Sequence, residues 1–538
     1  MKRRLIALLL AICVLFAFTA CGDKNEGATV SEVKKTTSDS YPLETDVELE
    51  WWMQLQNGVT AFASSMNETD FHDYLEEATG VKVNFQHPVA GQETAAANIL
   101  FNSGNLPDIM EYNFEQNYSG GLAAAIEDGI VASLNPYMEA GVIPNLTKLL
   151  DENPDWGKQL AIADGTYATF PQFTVEPITQ IYVSYMLRQD LLDKAGMQMP
   201  ETVDEWDAVL TKFKEMGIKY PLFVNFEKWW MQNLLPFASP FNISFNFYHD
   251  DGVVKYGPAE EGFGEWIKLM KKWYDKGILA KDFINIDNKK MTAEIAQGNN
   301  GAVLTGLGGQ YGEYVAAIGE NSDIAYRPTT VPVMKSGDTP YIHQKYQQVL
   351  SATCSITSEN NREIAARVLD YGYSDAGYNL YNFGKEGVSF EWAEDKNGEK
   401  YQKYTDIVTD MKVNGNLALA SSLAKHTRAP YGGPYIKSGW YIRQYYPRPE
   451  QIEGIEKSDS DANAHMLPGN LAMSLEDRQK VNDIILAVET YVYESFPQLI
   501  AGKMSIDKLD DYFAQLEKLG INEAIDIYQK AYDAYLKK

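Results

Sequence analysis

Val47-Glu48-Leu49-Glu50-Trp51-Trp52-Met53 alternates apolar with charged side chains and reads as a strand with one buried face. A helical pattern follows from Asp70 to Ala78 and stops at Gly80. Val81-Lys82-Val83-Asn84-Phe85 predicts a second strand, Glu93 to Asn102 a second helix closed by Gly104, and Pro107-Asp108-Ile109-Met110-Glu111-Tyr112 a third strand. Strands that alternate with short helices imply a parallel sheet with crossover helices, so the chain reads as α/β.

Working outward, the pattern changes between Pro171 and Tyr185. Thr179 to Tyr185 reads as another strand, followed by a short helix over Arg188 to Ala195 with Gly196 at its end. Thr202 and Glu205 form a capping box at the head of a strong helix, and Glu261 to Lys276 forms a long one. Gly301 to Gly306 reads as a buried strand that returns to the first lobe. From Ser474 onward the pattern is mostly helical, and Ser474 and Asp477 suit a helix start. No short repeat is visible.

At the other end, Lys2, Arg3 and Arg4 precede an uncharged apolar run from Leu5 to Phe18, the layout of a secretory signal. The run is too short to span a bilayer, which takes about 20 residues. Phe18-Thr19-Ala20-Cys21 looks like the lipobox of bacterial lipoproteins, with Phe18 where Leu is usual. That likeness implies cleavage before Cys21 and acylation of its thiol, which would tether the chain to a membrane surface. An ordinary signal peptide with a cysteine at its end is the alternative. Gly22 to Ser40 is nearly free of large apolar residues and reads as a flexible leash.

The chain has 538 residues, room for two or three domains beyond the signal. Its net charge is −27, and loss of the signal's three cations makes it more acidic still. Such a body does not suit nucleic acid or anionic lipid, which demand a positive face. Of three cysteines, Cys13 lies in the signal and Cys21 is the acylation site. Cys354 is left alone in an apolar context and reads as a small buried hydrophobe. Aromatic residues reach 12%, with 34 Tyr, and such side chains serve either a core or a half-wet ligand site.

Catalytic signatures are missing. Six histidines include no His-Glu-x-x-His, and neither a Gly-x-Ser-x-Gly elbow nor a Gly-x-x-x-x-Gly-Lys-Ser/Thr loop occurs. Gly306-Leu307-Gly308-Gly309-Gln310-Tyr311 fails as a dinucleotide fingerprint because Tyr311 takes the place of the third glycine. A glycosidase needs only two placed carboxylates, and 74 Asp and Glu leave room for such a pair. Asp459-x-Asp461-x-Asn463 opens like a calcium loop, but Ala464 and Asn470 stand where Gly and the closing Glu belong. We expect no metal site, no cofactor and no catalysis.

Several stretches, taken in order, carry a resemblance. They include Glu76-Glu77-Ala78-Thr79-Gly80-Val81-Lys82-Val83, Asn105-Leu106-Pro107-Asp108-Ile109, Leu134-Asn135-Pro136-Tyr137, Leu187-Arg188-Gln189-Asp190-Leu191-Leu192, Lys272-Trp273-Tyr274-Asp275-Lys276-Gly277-Ile278-Leu279 and Leu380-Tyr381-Asn382-Phe383-Gly384-Lys385-Glu386-Gly387. The chain resembles the family 1 extracellular solute-binding proteins of bacterial ABC sugar importers, in their large lipoprotein branch. The resemblance implies a type II periplasmic-binding-protein-like fold, with two α/β lobes joined by a hinge and ligand in the cleft between them. It also implies an oligosaccharide ligand, an ABC permease as partner, a monomer, and a place on the outer face of the cytoplasmic membrane. The expected organisation is a signal over 1–20, a lipidated tether over 21–45, and a first lobe over 46–175 with returning segments near 301–355. The second lobe is expected over 176–300, lobe-crossing and cleft-lining segments over 356–473, and C-terminal helices over 474–538.

Ligands of open α/β sheets bind beyond the carboxyl ends of the strands. That rule selects Trp52, Gln54 and Asn57 after the first strand and Glu111, Tyr112 and Asn113 after the third. The second lobe offers Trp229 and, in the glycine-rich turn, Gln310 and Tyr311. The segment from Arg428 through Tyr435 to Trp440 is dense in Tyr, Trp, Arg, Gly and Pro, a contact-surface composition. Each aromatic among these is as well suited to a core. Two other functions remain open on sequence alone: a surface glycan hydrolase, and a lipoprotein that aids folding or assembly without transporting anything.

Overall fold

The structure is a computed structural model. It describes residues 33–538 except 39, 163, 225–229, 320–321, 342–344, 460–464 and 470. The signal, Cys21, the first part of the leash, Trp229 and most of the calcium-like loop lie outside the described residues.

Two mixed sheets organise the chain. The first has the strand order β2-β1-β3-β11-β4, built from β1 (Glu48–Trp52), β2 (Lys82–Gln86), β3 (Ile109–Glu111), β4 (Phe170–Phe173) and β11 (Val349–Ile356). β1 runs parallel to β2 and β3, and β11 runs antiparallel to β3 and β4. The second has the order β10-β5-β9-β6, from β5 (Val183–Arg188), β6 (Tyr220–Phe223), β9 (Asn300–Gly306) and β10 (Tyr326–Pro328). Two hairpins, β7 (Phe247–Asp250) with β8 (Val253–Tyr256) and β12 (Phe390–Glu394) with β13 (Lys400–Tyr404), complete the strands among the described residues.

The alternation in β1 explains the layering of the first lobe. Leu49, Trp51 and Met53 point to one face and join a core with Phe71, Leu75, Val83 and Phe85. Trp52, on the opposite face, joins Met110, Tyr112 and Phe114 under the helix Glu93–Ser103. The second lobe buries Trp206, Phe237, Trp266 and Trp273 together with Val488, Phe496 and Tyr512 of the C-terminal helices. The helix Leu475–Ile500 starts at Ser474, whose hydroxyl accepts from the Asp477 N–H at 3.1 Å. The Thr202–Glu205 capping box forms as the sequence predicts. No helix of the described residues is long and apolar enough to cross a membrane.

Three expectations are corrected. Gly301 to Gly306 belongs to β9, paired with β5 and β6 in the second sheet, and the strand that returns to the first sheet is β11. An apolar run buried on both faces carries no mark of which sheet it joins. The expected strand over Thr179 to Tyr185 is split, with a helical turn over Pro177–Gln180 before β5, because proline at a first helical position presets the turn. The last part of the segment expected as a tether over 21–45 is docked on the first lobe. Thr36 and Thr37 donate from backbone and side chain to the Glu363 carboxylate, the Tyr41 hydroxyl donates to the Arg367 carbonyl at 2.6 Å, and Leu43 is buried. Local composition holds no trace of an acceptor some 326 residues away.

Candidate functional site

The chain passes between the lobes by segments that run side by side. After β4, the Thr174 N–H donates to the Gln348 carbonyl at 2.9 Å and its hydroxyl to the Gln347 carbonyl at 2.7 Å. The Tyr346 N–H donates to the Gln180 carbonyl at 3.0 Å. A third segment joins this ladder, because the Phe173 N–H donates to the Tyr435 carbonyl at 3.0 Å and the Lys437 N–H to the Phe173 carbonyl at 2.8 Å. The crossing point is therefore a small backbone ladder.

A cavity of about 460 Å³ opens on this ladder. From the first lobe it is lined by Asn113, Glu115, Gln116 and the Pro430–Gly432 turn, and from the ladder by Gln172, Thr174, Tyr346, Gln347 and Lys437. Amides and hydroxyls dominate, with two tyrosines and one cation. A neighbouring cavity of about 340 Å³ shares Glu115, Gln116 and Gly469 and extends under the C-terminal helices, where Phe247 stacks on Tyr528 at 3.9 Å. Between them Glu115 of the first lobe pairs with Arg478 of the second, an ion pair that bridges the cleft. A third cavity, of about 380 Å³ beside Tyr311, Arg327 and Glu450, shares no lining residue with these two.

Behind the main cavity lies a buried ionic node. Arg428 is 1% exposed, and its Nη2 donates to both Glu111 carboxylate oxygens at 3.0 Å and to the Gly432 carbonyl at 2.6 Å. Desolvation works against the charged guanidinium, and the Glu111 carboxylate outweighs it, so Arg428 is held above its usual range. With its amide oxygen turned to the guanidinium, Gln56 accepts from Nε at 3.1 Å. The node fixes Gly432, which lines the cavity. Lys437 is the opposite case. It is half-buried over the Tyr441 ring, 5.5 Å from its centroid, and desolvation pushes its pKa down to about 8.

The residues expected at the site divide accordingly. Asn113 lines the cavity and caps the short helix Phe114–Asn117. Glu111 and Arg428 stand one layer behind it. Trp52 and Tyr112 are corrected to core, packed edge to face at 6.0 Å, because the period of a strand sends Trp52 beneath a helix. Tyr435 is fully buried, stacked on Tyr381 at 5.1 Å, with its hydroxyl donating to the Tyr431 carbonyl. Gln54 and Asn57 are exposed and outside the cavity lining. Gln310 accepts from the Gly306 N–H at 2.8 Å, so it closes its own turn. Tyr311 donates to Glu450 at 3.0 Å beside the third cavity. Trp440 stacks on Tyr401 at 4.4 Å and is outside the lining of the main cavity. Trp229 lies outside the described residues.

Gln172, Thr174, Tyr346 and Gln347 were missed, while Tyr431 and Lys437 fall inside the selected Arg428–Trp440 segment without being singled out. The signal for them was polar side chains set in apolar crossing stretches, Phe170-Pro171-Gln172-Phe173-Thr174 and Tyr435-Ile436-Lys437. The described residues hold no cluster of three His, Cys, Asp or Glu side chains placed for a metal. Asp459, which opens the calcium-like loop, accepts from Lys345 at 2.9 Å.

Two lobes, side-by-side crossing segments and a polar cavity on the crossing define the class of bilobal binding proteins that close about a hinge. A profile of the bacterial extracellular solute-binding proteins matches residues 56–379, and the chain belongs to that family. It is similar to the fructooligosaccharide ABC transporter substrate-binding protein FusA of Streptococcus pneumoniae serotype 4, at 24% identity over 97% of this chain and 96% of that protein. It is also similar to the lipoprotein LipO of Bacillus subtilis strain 168, at 22% identity over 86% of this chain and 88% of that protein. An extracellular solute-binding protein from Bifidobacterium longum subsp. infantis has the same fold, with a TM-score of 0.71 and 19% identity over 91% of this chain and 98% of that one.

Proposed function

We propose that this chain is a lipid-anchored receptor that captures an oligosaccharide in the cleft and delivers it to an ABC permease. One observation carries the reading: the cavity on the hinge ladder sets the amides of Asn113, Gln116, Gln172 and Gln347 and the Thr174 hydroxyl among apolar Val349, Leu350 and Pro430 and the rings of Tyr346 and Tyr431. Sugars present many hydroxyls and apolar C–H faces, and a few placed polar groups with aromatic walls suit them. The FusA name, which specifies fructooligosaccharides for that protein, supports a glycan class here. Binding on the ladder would also couple occupancy to closure, because the segments that touch the ligand are those that bend.

Anchoring at Cys21 is part of the proposal, supported by the signal layout and by the relative named as a lipoprotein. The stretch from Cys21 to the docked Val33 reaches at most about 40 Å fully extended, so the receptor would stay beside its permease at raised effective concentration. We read the protein as a binder and not a hydrolase. Tryptophan fluorescence during titration with a glycan panel tests this, with chromatography of the bound glycan afterwards. A saturable response and intact glycan are expected. A response only to peptides or metal complexes, or release of shortened glycan, would overturn the reading.

A further inference from the structure

Among the described residues, Lys437 is the one cation in the lining of the main cavity. An ammonium taken far from water is ordinarily paired with a carboxylate, and a half-buried one keeps its head toward water or a partner. Here no carboxylate of the described residues is within ion-pair distance of it. The acids around it are each engaged elsewhere. Glu115, across the cavity, is held by Arg478. Glu111, behind the Gly432 turn, is held by Arg428. Glu176 accepts from the Gly439 N–H at 2.6 Å, two residues along from Lys437. The other groups facing the cavity, Asn113, Gln116, Gln172, Thr174, Gln347, Tyr346 and Tyr431, are neutral. Its own segment adds only the Tyr441 ring. Lys437 is also held in place, since its N–H belongs to the hinge ladder at 2.8 Å.

We infer that the cavity takes a glycan bearing an anionic group, a carboxylate or a sulfate, and that Lys437 is the residue that recognises it. The inference rests on the glycan reading above and adds the charge of the ligand. The protein's net charge of −27 repels an anion at long range, but salt screens such fields beyond about 8 Å. Recognition then falls to the contact itself, where a charge-assisted hydrogen bond is about twice as strong as a neutral one. The lowered proton affinity of Lys437 is consistent with a cation lacking its counter-ion, which a bound anion would supply.

The test is calorimetric titration of the mature protein with pairs of glycans that differ only in charge. Oligogalacturonides are set against their methyl esters, sialyllactose against lactose, and sulfated oligosaccharides against their desulfated forms. The acid of at least one pair is expected to bind about 10-fold or more tightly than its neutral partner at pH 6.5. Which pair shows the preference separates carboxylate from sulfate. Lys437→Gln is expected to reduce the ratio to about one, and Lys437→Arg to keep it. The preference should fade between pH 7 and 9 as Lys437 loses its proton. Neutral glycans that bind as well as acidic ones in every pair would overturn the inference and leave the glycan reading standing. So would a preference that survives Lys437→Gln. No binding by any glycan, charged or neutral, would remove both.

Discussion

At the end of β3 a carboxylate and a buried guanidinium face each other at 3.0 Å, joined by Gln56 and the Gly432 carbonyl. On the crossing ladder, just in front of that node, Lys437 reaches a cavity with the Tyr441 ring beside it and, among the described residues, no carboxylate in ion-pair distance. Both regions lie where strands of the first sheet end, and each holds a cation, Arg428 buried and Lys437 half-buried. In one the charge is satisfied within the protein and holds the turn that walls the cavity. In the other it is left for something else. The comparison teaches that position at the strand ends brings a residue near the site, while unmet bonding capacity decides whether it can serve a ligand.

The sharpest way to break this contrast is at the node. Arg428→Ala strands Glu111 half-buried without its partner, and loss of about 3–5 kcal/mol in urea unfolding is expected. A loss under about 1 kcal/mol would mean that the node does not hold the turn. The converse holds for the ladder. The folded pKa of Lys437 is about 8, below its usual 10.5, so the unfolded chain holds that proton more tightly. The group's favourable contribution is present above pH 10.5 and is lost as pH falls through about 8. At pH 7 Lys437→Met should therefore stabilise the unliganded protein by on the order of 1–3 kcal/mol, with the gain shrinking toward pH 10.5. Thermal unfolding across that range reads it directly, and a destabilised Lys437→Met would show that the charge is already satisfied.

A smaller effect is expected at the bridge over the cleft. Glu115 and Arg478 are 24% and 16% exposed, and their pairing joins the two lobes across the cleft. Arg478→Gln should weaken ligand binding by about three- to ten-fold while changing global stability by about 1 kcal/mol or less, as for other partly exposed pairs. The smallest belongs to the docked N-terminal segment. Glu363→Ala should release Thr36 and Thr37, costing about 1 kcal/mol and raising hydrogen exchange near residue 37 without altering affinity.

Local order was readable from sequence because it is encoded locally. The five elements from Glu48 to Glu111, the Gly80, Gly104 and Gly196 helix ends, and the Thr202 and Ser474 caps all rest on neighbours within a few residues. Pairings of distant residues were not readable. Gly301 to Gly306 looks alike in either sheet, and Thr36 carries no sign of Glu363. The site suffered in the same way. Trp52, Tyr112 and Tyr435 were chosen for chemistry that suits a sugar, yet the same apolar faces suit a core, and tertiary packing claimed them. Glu111 and Arg428 pair over a separation of 317 residues, which no motif announces. Gln172, Thr174 and Lys437 gain their meaning only when three remote segments come side by side.

The central claim is that ligand binds on the crossing ladder and not in the separate cavity beside Tyr311. Hydrogen–deuterium exchange of the mature protein, with and without a glycan that gives a fluorescence response, addresses it most directly. Protection is expected over 172–174, 346–350 and 430–438, the segments that line the cavity and share its backbone bonds. Protection confined to 307–327 and 445–451, around the separate cavity beside Tyr311, with an unchanged ladder, would contradict the account.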